Sequence, residues 1–285
     1  MNILSVDYYA DDAAADFTKS LKETGFAVLK THPIDWSIIQ TVYKEWQDFM
    51  KSGDAGKYLF DKENQDGYFP KDISEVAKGE KVKDIKHFYH LYFPKGRYPI
   101  EVSSAAREMY QSMISLGETL LQWIDDHMDP TVASKLSQRL KDTLSPENTL
   151  LRVLHYPALE GDEEVGAVRA AAHEDINLIT LLIGADEPGL EVKDKSGNWL
   201  PVSSSFNEIV CNIGDMMQLI TDGKLKSTPH RVVKYNLDEK RSRYSIPFFL
   251  HPSPDTMLSS IYDESDKGVL AHDFLDERLR AIKLY

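Results

Sequence analysis

Apolar and polar positions alternate differently in the two halves of the chain. Apolar residues recur at steps of three and four over residues 11–23, about 35–51 and about 102–127, which predicts three amphipathic helices. A shorter helix is predicted over 131–141, and a buried strand over Gly25–Leu29, bounded by a glycine and by Pro33. The first half therefore predicts a mainly helical region with one early strand.

After Leu150 the pattern changes to short β-branched and apolar runs separated by turn residues. Turn signals at Asp194–Asn198 and at Asp222-Gly223 would join neighbouring strands antiparallel. Eight such runs within about a hundred residues are typical of a double-sheet jelly roll. The predicted strands are Leu151–Tyr156, Leu178–Ile183, Leu190–Val192, Trp199–Val202, Glu208–Ile213, Met216–Ile220, His230–Tyr235 and Tyr244–Leu250.

The predicted fold class is mixed α/β with a β core. We expect one domain over residues 1–285, with a mainly helical N-terminal region at 1–147 and a jelly-roll core at 148–255. Residues 256–285 should form a helical tail, because Phe274, Leu275, Leu279 and Ile282 share one helix face. Residues 52–100 are polar, and their apolar residues follow no regular spacing, which predicts little regular structure.

Charge and cysteine content exclude several classes of partner. The chain has 33 basic and 46 acidic side chains, and the resulting charge of −13 repels nucleic acid and anionic lipid. Cys211 is the only cysteine, so no intrachain disulfide can form. There is no signal-peptide pattern and no apolar run long enough for a membrane helix. We expect a cytoplasmic protein without nucleic-acid or membrane partners, and the oligomeric state stays open.

Three side chains suggest a metal centre. His173 and Asp175 are two residues apart, so an extended strand would point both to one face, and a jelly roll could bring His230 to them from a distant strand. Two imidazoles and one carboxylate are the ligand set of non-heme Fe(II) sites, and the open coordination positions favour catalysis. The alternatives are zinc, which takes the same ligand types, and histidines with no metal role. The remaining histidines are expected to be structural or solvent-facing: His32, His87, His90, His127, His155, His251 and His272.

Arg243 and Ser245 suggest an anion site. They alternate on a predicted strand and therefore point the same way. An arginine fork beside a hydroxyl suits a carboxylate. The alternative is a surface ion pair between Arg243 and Asp238 or Glu239.

Several short segments surround the candidate ligands: Asn212-Ile213-Gly214-Asp215, Thr221-Asp222-Gly223, Ser227 and His230-Arg231-Val232. With these segments, the chain resembles the isopenicillin N synthase-like family of Fe(II)/2-oxoglutarate dioxygenases. The resemblance is good over about residues 148–255 and loose before them. It implies a single catalytic domain in which His173, Asp175 and His230 hold Fe(II), and Arg243 and Ser245 receive the distal carboxylate of 2-oxoglutarate. It also implies O2 as cosubstrate and ascorbate as an auxiliary reductant.

One position departs from the family pattern. Many members carry Asn-x-Tyr on the first barrel strand to hold 2-oxoglutarate, and here Tyr156 matches while Leu154 replaces the asparagine. Oxidases of the same family keep Arg-x-Ser without using 2-oxoglutarate, so they are an alternative.

The resemblance implies hydroxylation or desaturation of a small molecule, with succinate and CO2 as co-products. The alternatives from other classes are a non-catalytic metal-binding module and a zinc-dependent hydrolase. The substrate itself is not readable from the sequence. Residues that could line its pocket are Tyr68, Phe69, Arg169, Phe206 and Phe249, of which Arg169 could hold an acidic substrate.

Overall fold

The computed structural model describes residues 1–73, 84–158, 169–184, 187–233, 241–261 and 265–282. The α-helices are α1 Ala13–Thr24, α2 Trp36–Ser52, α3 Ala105–His127, α4 Pro130–Ala133, α5 Leu140–Thr143, α6 Asp215–Ile220 and α7 Ala271–Ala281. The strands are β1 Ser5–Asp7, β2 Phe26–Lys30, β3 Gly67–Phe69, β4 His87–Leu91, β5 Leu150–Tyr156, β6 Ala170–His173, β7 Ile179–Ile183, β8 Leu190–Lys193, β9 Trp199–Pro201, β10 Ile209–Ile213, β11 His230–Val232, β12 Arg243–Leu250, β13 Met257–Leu258 and β14 Val269–Leu270. Short 3₁₀ turns cover Asp54–Tyr58, Lys71–Ile73 and Pro146–Asn148.

Within these residues, two sheets build the jelly roll that the sequence predicted. The large sheet has eight strands in the order β1-β2-β10-β7-β12-β5-β4-β3, and the small sheet has four in the order β6-β11-β8-β9. Sequence neighbours such as β7 and β8 fall in different sheets, so the chain alternates between the two layers. The early strand β2 joins the barrel by pairing with β10.

Helices cover the outer face of the large sheet, which explains why its central strands are almost wholly apolar. Every residue of β10 is buried, and β7 has one half-buried residue. Strands covered on both faces lose the alternation of apolar and polar residues. The long helix α3 contacts β12, and a Cβ on Gly117 would lie 2.1 Å from Leu250 Cδ2. A glycine at this position therefore lets the helix approach the sheet closely.

Most predicted elements are confirmed: three N-terminal helices, the strand after Gly25, seven of the eight core strands, and the C-terminal helix. The end of the strand predicted over His230–Tyr235 falls at residues 234–235, outside the described residues. The turn at Asp194–Asn198 joins β8 to β9 antiparallel, as predicted. None of the helices in the described part of the chain combines the length and apolarity that crossing a bilayer requires.

The strand predicted over Met216–Ile220 is wrong, because this segment is helix α6. Met216, Met217 and Ile220 are its buried residues, and their spacing fits one face of a helix. A short apolar run does not distinguish the two structures by itself. Asp222-Gly223 consequently follows a helix, with φ of 47° and 71°, and does not form a hairpin.

The helix predicted over 131–141 is also wrong. Two single turns, α4 and α5, replace it. The carboxylate of Asp125 accepts hydrogen bonds from the backbone N–H groups of Leu140 and Lys141, so α5 starts as a separate turn.

Residues 52–100 contain more structure than their polarity indicates. Strand β4 pairs with β5, and β3 pairs with β4, so this segment extends the large sheet by two strands. Strand β6 was missed as well, because its sequence Ala-Ala-Ala-His lacks the β-branched and aromatic residues on which strand prediction depends.

Candidate metal and cosubstrate site

His173, Asp175 and His230 lie together at one end of the small sheet. Each offers one ligand atom, and these atoms lie within 4.8 Å of one another. Asp175 Oδ1 is 3.9 Å from His173 Nε2 and 3.8 Å from His230 Nε2. Two nitrogens and one oxygen at such distances can converge on a single ion.

Strand pairing brings the two histidines together. β11 is antiparallel to β6, and His230 stands directly opposite His173, with ring centroids 4.3 Å apart. The expectation that His173 and Asp175 share one strand is wrong, because β6 ends at His173 and Asp175 lies in the following loop.

Backbone carbonyls orient both imidazoles. His173 Nδ1 donates to the carbonyl of Ala171 at 2.8 Å, and His230 Nδ1 donates to that of Thr228 at 3.2 Å. With the proton on Nδ1, each Nε2 keeps a lone pair directed at Asp175. A hydrogen bond from the second ring nitrogen is the usual way to fix a metal-binding tautomer.

The large sheet orients the carboxylate. Asp175 Oδ2 accepts hydrogen bonds from Thr180 Oγ1 at 2.6 Å and from Asn212 Nδ2 at 2.8 Å. Thr180 and Asn212 are cross-strand partners on β7 and β10. Both hydrogen bonds use one oxygen, so Oδ1 is left toward the histidines. Thr180 was not predicted from the sequence, although a hydroxyl inside the apolar strand Ile-Thr-Leu-Leu-Ile was a usable signal.

Gly214 completes this support through close packing. A Cβ at Gly214 would lie 2.2 Å from both the backbone oxygen and the Oδ1 of Asn177. Asn177 donates in turn to Thr180 Oγ1 at 2.9 Å, which donates to Asp175. The glycine of the Asn-Ile-Gly-Asp segment therefore makes room for the chain of hydrogen bonds behind the carboxylate.

The protonation states suit a divalent cation. Burial, followed by the neighbouring charge of His173, lowers the pKa of His230 to about 4, so its imidazole is neutral near pH 7. Burial by itself would raise the pKa of Asp175. The two imidazoles and the hydrogen bonds from Asn212 and Thr180 more than offset this, and the pKa falls below its usual value. Neutral nitrogens with an ionised carboxylate are the donors that Fe(II) requires.

Arg243, the candidate anion-binding residue, lies on the same inner surface of the barrel as the three candidate metal ligands. Arg243 and Ser245 on β12 are each 2% exposed, and Arg243 is the cross-strand partner of Tyr156. Arg243 Nε donates to the backbone oxygen of Glu187 at 3.0 Å, and the guanidinium carbon lies 5.3 Å from the centre of the Tyr156 ring. Its buried Nη1 has no hydrogen-bond partner within the described ranges.

An unsatisfied buried guanidinium nitrogen is costly, and a ligand carboxylate would satisfy it. The arrangement therefore fits the distal carboxylate of 2-oxoglutarate. The alternative partners of Arg243, Asp238 and Glu239, lie outside the described residues.

The candidate metal ligands and Arg243 both line one open cavity of about 1670 Å³. Its wall includes the three candidate metal ligands together with Leu154, Tyr156, Arg243 and Ser245. Helix α7 lines it too, through Phe274, Leu275 and Leu279, and so does Ile282 directly after the helix.

The other proposed lining residues have different locations. Phe249 lines the cavity. Arg169 is 3% exposed and donates to the backbone oxygen of Arg241. Phe206 packs against Tyr43. Tyr68 bonds to His87, and Phe69 stacks on Phe88.

The remaining histidines are mostly away from the metal ligands. His127 is exposed, and His87 bonds to His155. His90, His251 and His272 line the cavity, and His251 is 8% exposed.

Comparisons with known proteins agree with this geometry. The sequence profile of the 2OG-Fe(II) oxygenase superfamily matches residues 147–252. A protein of Shewanella oneidensis described as an oxygenase is 45% identical, with a TM-score of 0.85 and 98% of each chain covered. A 2OG-Fe(II) oxygenase family protein of Caulobacter crescentus is 31% identical, with a TM-score of 0.81, covering 98% of this chain and 99% of that one. A full-length protein of Neurospora crassa, solved in complex with alpha-KG, is 25% identical, with a TM-score of 0.81, covering 97% of this chain and 95% of that one.

Since the similarity extends over the full length of two of these chains at 30% identity or more, the chain belongs to the 2OG-Fe(II) oxygenase superfamily. The predicted fold and the predicted use of Fe(II) and 2-oxoglutarate are thereby confirmed, and the protein is an oxidoreductase of the Fe(II)/2-oxoglutarate-dependent dioxygenase class.

Proposed function

We propose that His173, Asp175 and His230 hold the Fe(II), and that Arg243, Ser245 and Tyr156 bind 2-oxoglutarate. The observation that carries this proposal is that one cavity contains both a cluster of possible metal ligands and a buried arginine nitrogen without a described partner. At the end of the small sheet, one possible ligand atom from each of the three residues lies within 4.8 Å of the other two. Further along β12, a buried guanidinium nitrogen has no described partner.

The chemistry supplied by bound Fe(II), 2-oxoglutarate and O2 is oxidative decarboxylation to succinate and CO2, coupled to oxidation of a C–H bond. The protein contributes position and electrostatics. Ala171 and Thr228 fix the two imidazoles, while Thr180 and Asn212 fix the carboxylate. Arg243 determines which way round the dicarboxylate binds, because its orphan nitrogen is a charge-assisted donor in a buried place.

The reaction we propose is hydroxylation or desaturation of a small molecule, in a single cytoplasmic catalytic domain of the isopenicillin N synthase-like type, with ascorbate as an auxiliary reductant. The apolar side chains of α7 support a small organic substrate, because they form a wall over the same cavity as the candidate ligands.

Anaerobic titration tests the assignment. Adding 2-oxoglutarate to the Fe(II)-loaded protein should produce a visible charge-transfer band. Arg243→Met should raise the 2-oxoglutarate concentration needed for that band by at least about tenfold, because a buried charge-assisted hydrogen bond is lost.

Arg139→Met, at a half-exposed arginine paired with Asp126, is the matched control and should leave the titration unchanged. A wild-type protein that binds Fe(II) but gives no band would contradict the proposed binding of 2-oxoglutarate.

A further inference from the structure

Besides Arg243, the described part of the cavity wall carries two further arginines, Arg152 and Arg278, and Arg152 lies at the end opposite Arg243. Arg152, Leu154 and Tyr156 alternate along β5 and all line the cavity. The register between β5 and β12 shows that the two arginines lie toward opposite ends of these strands, because Arg243 stands opposite Tyr156 and Phe249 stands opposite Leu150. Arg152 and Tyr156 are therefore separated by roughly 13 Å along the strand, at about 3.3 Å per residue.

Arg152 is held in one orientation. Its Nε donates to His90 Nε2 at 2.8 Å, and His90 Nδ1 donates to the backbone oxygen of Gln65 at 2.8 Å. The carbonyl fixes the proton of His90 on Nδ1, so Nε2 is the acceptor that Arg152 needs. His90 is 2% exposed and is thus a rigid support.

Two aromatic rings cover the guanidinium faces. Its central carbon lies 4.5 Å from the centre of the Phe88 ring and 5.2 Å from that of Phe249. Stacking on rings together with a hydrogen bond along one edge limits the rotamers of a long side chain. Little conformational entropy then remains to be lost when the guanidinium binds a ligand.

Part of the cavity wall is apolar. Leu154 occupies the middle of β5, and Phe274, Leu275 and Leu279 of α7 line the same cavity. Arg278 of α7 also lines the cavity, and its Nε lies 3.9 Å from Asp215 Oδ2. A ligand that reaches from Arg152 toward the metal ligands would place carbon atoms against Leu154 and the apolar side chains of α7.

We infer that the primary substrate is a small carboxylic acid with an apolar body, and that Arg152 binds its carboxylate. Arg243 serves the cosubstrate, and Arg152 serves the molecule to be oxidised. His90 is a positioning residue that acts through Arg152. This inference rests on the proposed function, since it assigns the Arg243 end to 2-oxoglutarate.

Calorimetry with matched ligand pairs tests the inference. The protein is loaded with Mn(II) and 2-oxoglutarate, so that no turnover occurs, and is titrated with phenylacetate, phenylacetamide, hexanoate and hexanamide. Each acid should bind at least about tenfold more tightly than its amide, since a hydrogen-bonded ion pair replaces a neutral contact. Arg152→Met should abolish this preference, while Arg152→Lys should keep part of it because the charge remains without the fork.

Lys95→Met is the matched control, because Lys95 lines the same cavity but is 76% exposed and paired with Glu147. It should leave the preference for acids unchanged. Acids that bind no better than amides, acids that fail to bind at millimolar concentration, or a preference that survives Arg152→Met would each overturn the inference. A wild-type protein that gives no charge-transfer band with Fe(II) and 2-oxoglutarate would overturn the proposed function instead, so the two failures are distinguishable.

Discussion

The metal end and the Arg152 end of the cavity are built in different ways. At the metal end, strand pairing between β6 and β11 places both imidazoles, and two partners on β7 and β10 fix the carboxylate. At the other end, Arg152 on β5 is held by His90 and Phe88 of β4 and by Phe249 of β12. The first end is built by strands of the barrel alone, whereas the second also needs β4, which residues 52–100 add to the large sheet. If Arg152 binds the substrate as inferred, the choice of substrate depends in part on a strand outside the segment that holds the metal ligands.

The largest expected effect is at the metal end. Asp175→Ala removes one of three ligands and its charge, and we expect metal affinity to fall by more than about 100-fold, since losing a mere supporting partner already costs about 10–100-fold. Co(II) titration followed by absorbance measures this affinity. Glu174→Gln, one residue away, is the control for loss of an acidic charge. Equal Co(II) affinity in the wild type and in Asp175→Ala would remove Asp175 from the ligand set.

The next effect concerns the support behind the carboxylate. Thr180→Val deletes one of the two hydrogen bonds to Asp175 Oδ2 while keeping the side-chain shape, and we expect roughly 10-fold weaker metal binding. Thr119→Val, on the exposed face of α3, is the isosteric control. An affinity that differs little between the two variants would mean that Asn212 orients Asp175 alone.

Gly214→Ala should act on the same support from a distance. The added Cβ must displace Asn177, which donates to Thr180, so we expect weaker metal binding together with a lower melting temperature. Gly56→Ala is the control, because a Cβ there meets nothing within 4 Å and its φ is not in the left-handed region. Normal Co(II) affinity in Gly214→Ala would show that Asn177 can move without disturbing the carboxylate.

A pH dependence of stability is expected at the buried His251. Burial lowers its pKa to about 4 from an ordinary value of 6.5, so the unfolded chain binds more protons between these pH values. The stabilisation is complete above pH 6.5 and is lost as the pH falls toward 4, with a slope of about 1.4 kcal/mol per pH unit for one histidine. Urea unfolding of the metal-free protein at several pH values measures this. His251→Gln should have a slope lower by about that amount, and an unchanged slope would contradict the burial of a neutral imidazole.

The difference between the two ends of the cavity also explains which of its residues could be predicted from the sequence. His173, His230, Arg243 and Ser245 occur in short recognisable segments, because strand pairing or alternation places them with little help from elsewhere. Arg152 gave no comparable signal. Its role depends on β4, which the polarity of residues 52–100 concealed. Loop geometry was equally unreadable, and Asp175 reaches the metal site from a loop after β6, although the spacing indicated a strand.

The pairing of His230 with His173 has a consequence for folding. An ion held by both residues would be a cross-link between two strands that are far apart in the sequence, and such a link lowers the entropy of the unfolded chain much as a disulfide does. In a chain whose single cysteine excludes an internal disulfide, the catalytic ion would thus also fasten the edge of the small sheet. Removing the metal with a chelator should then unfold β6 locally before the large sheet unfolds, so that metal loss and local unfolding are coupled.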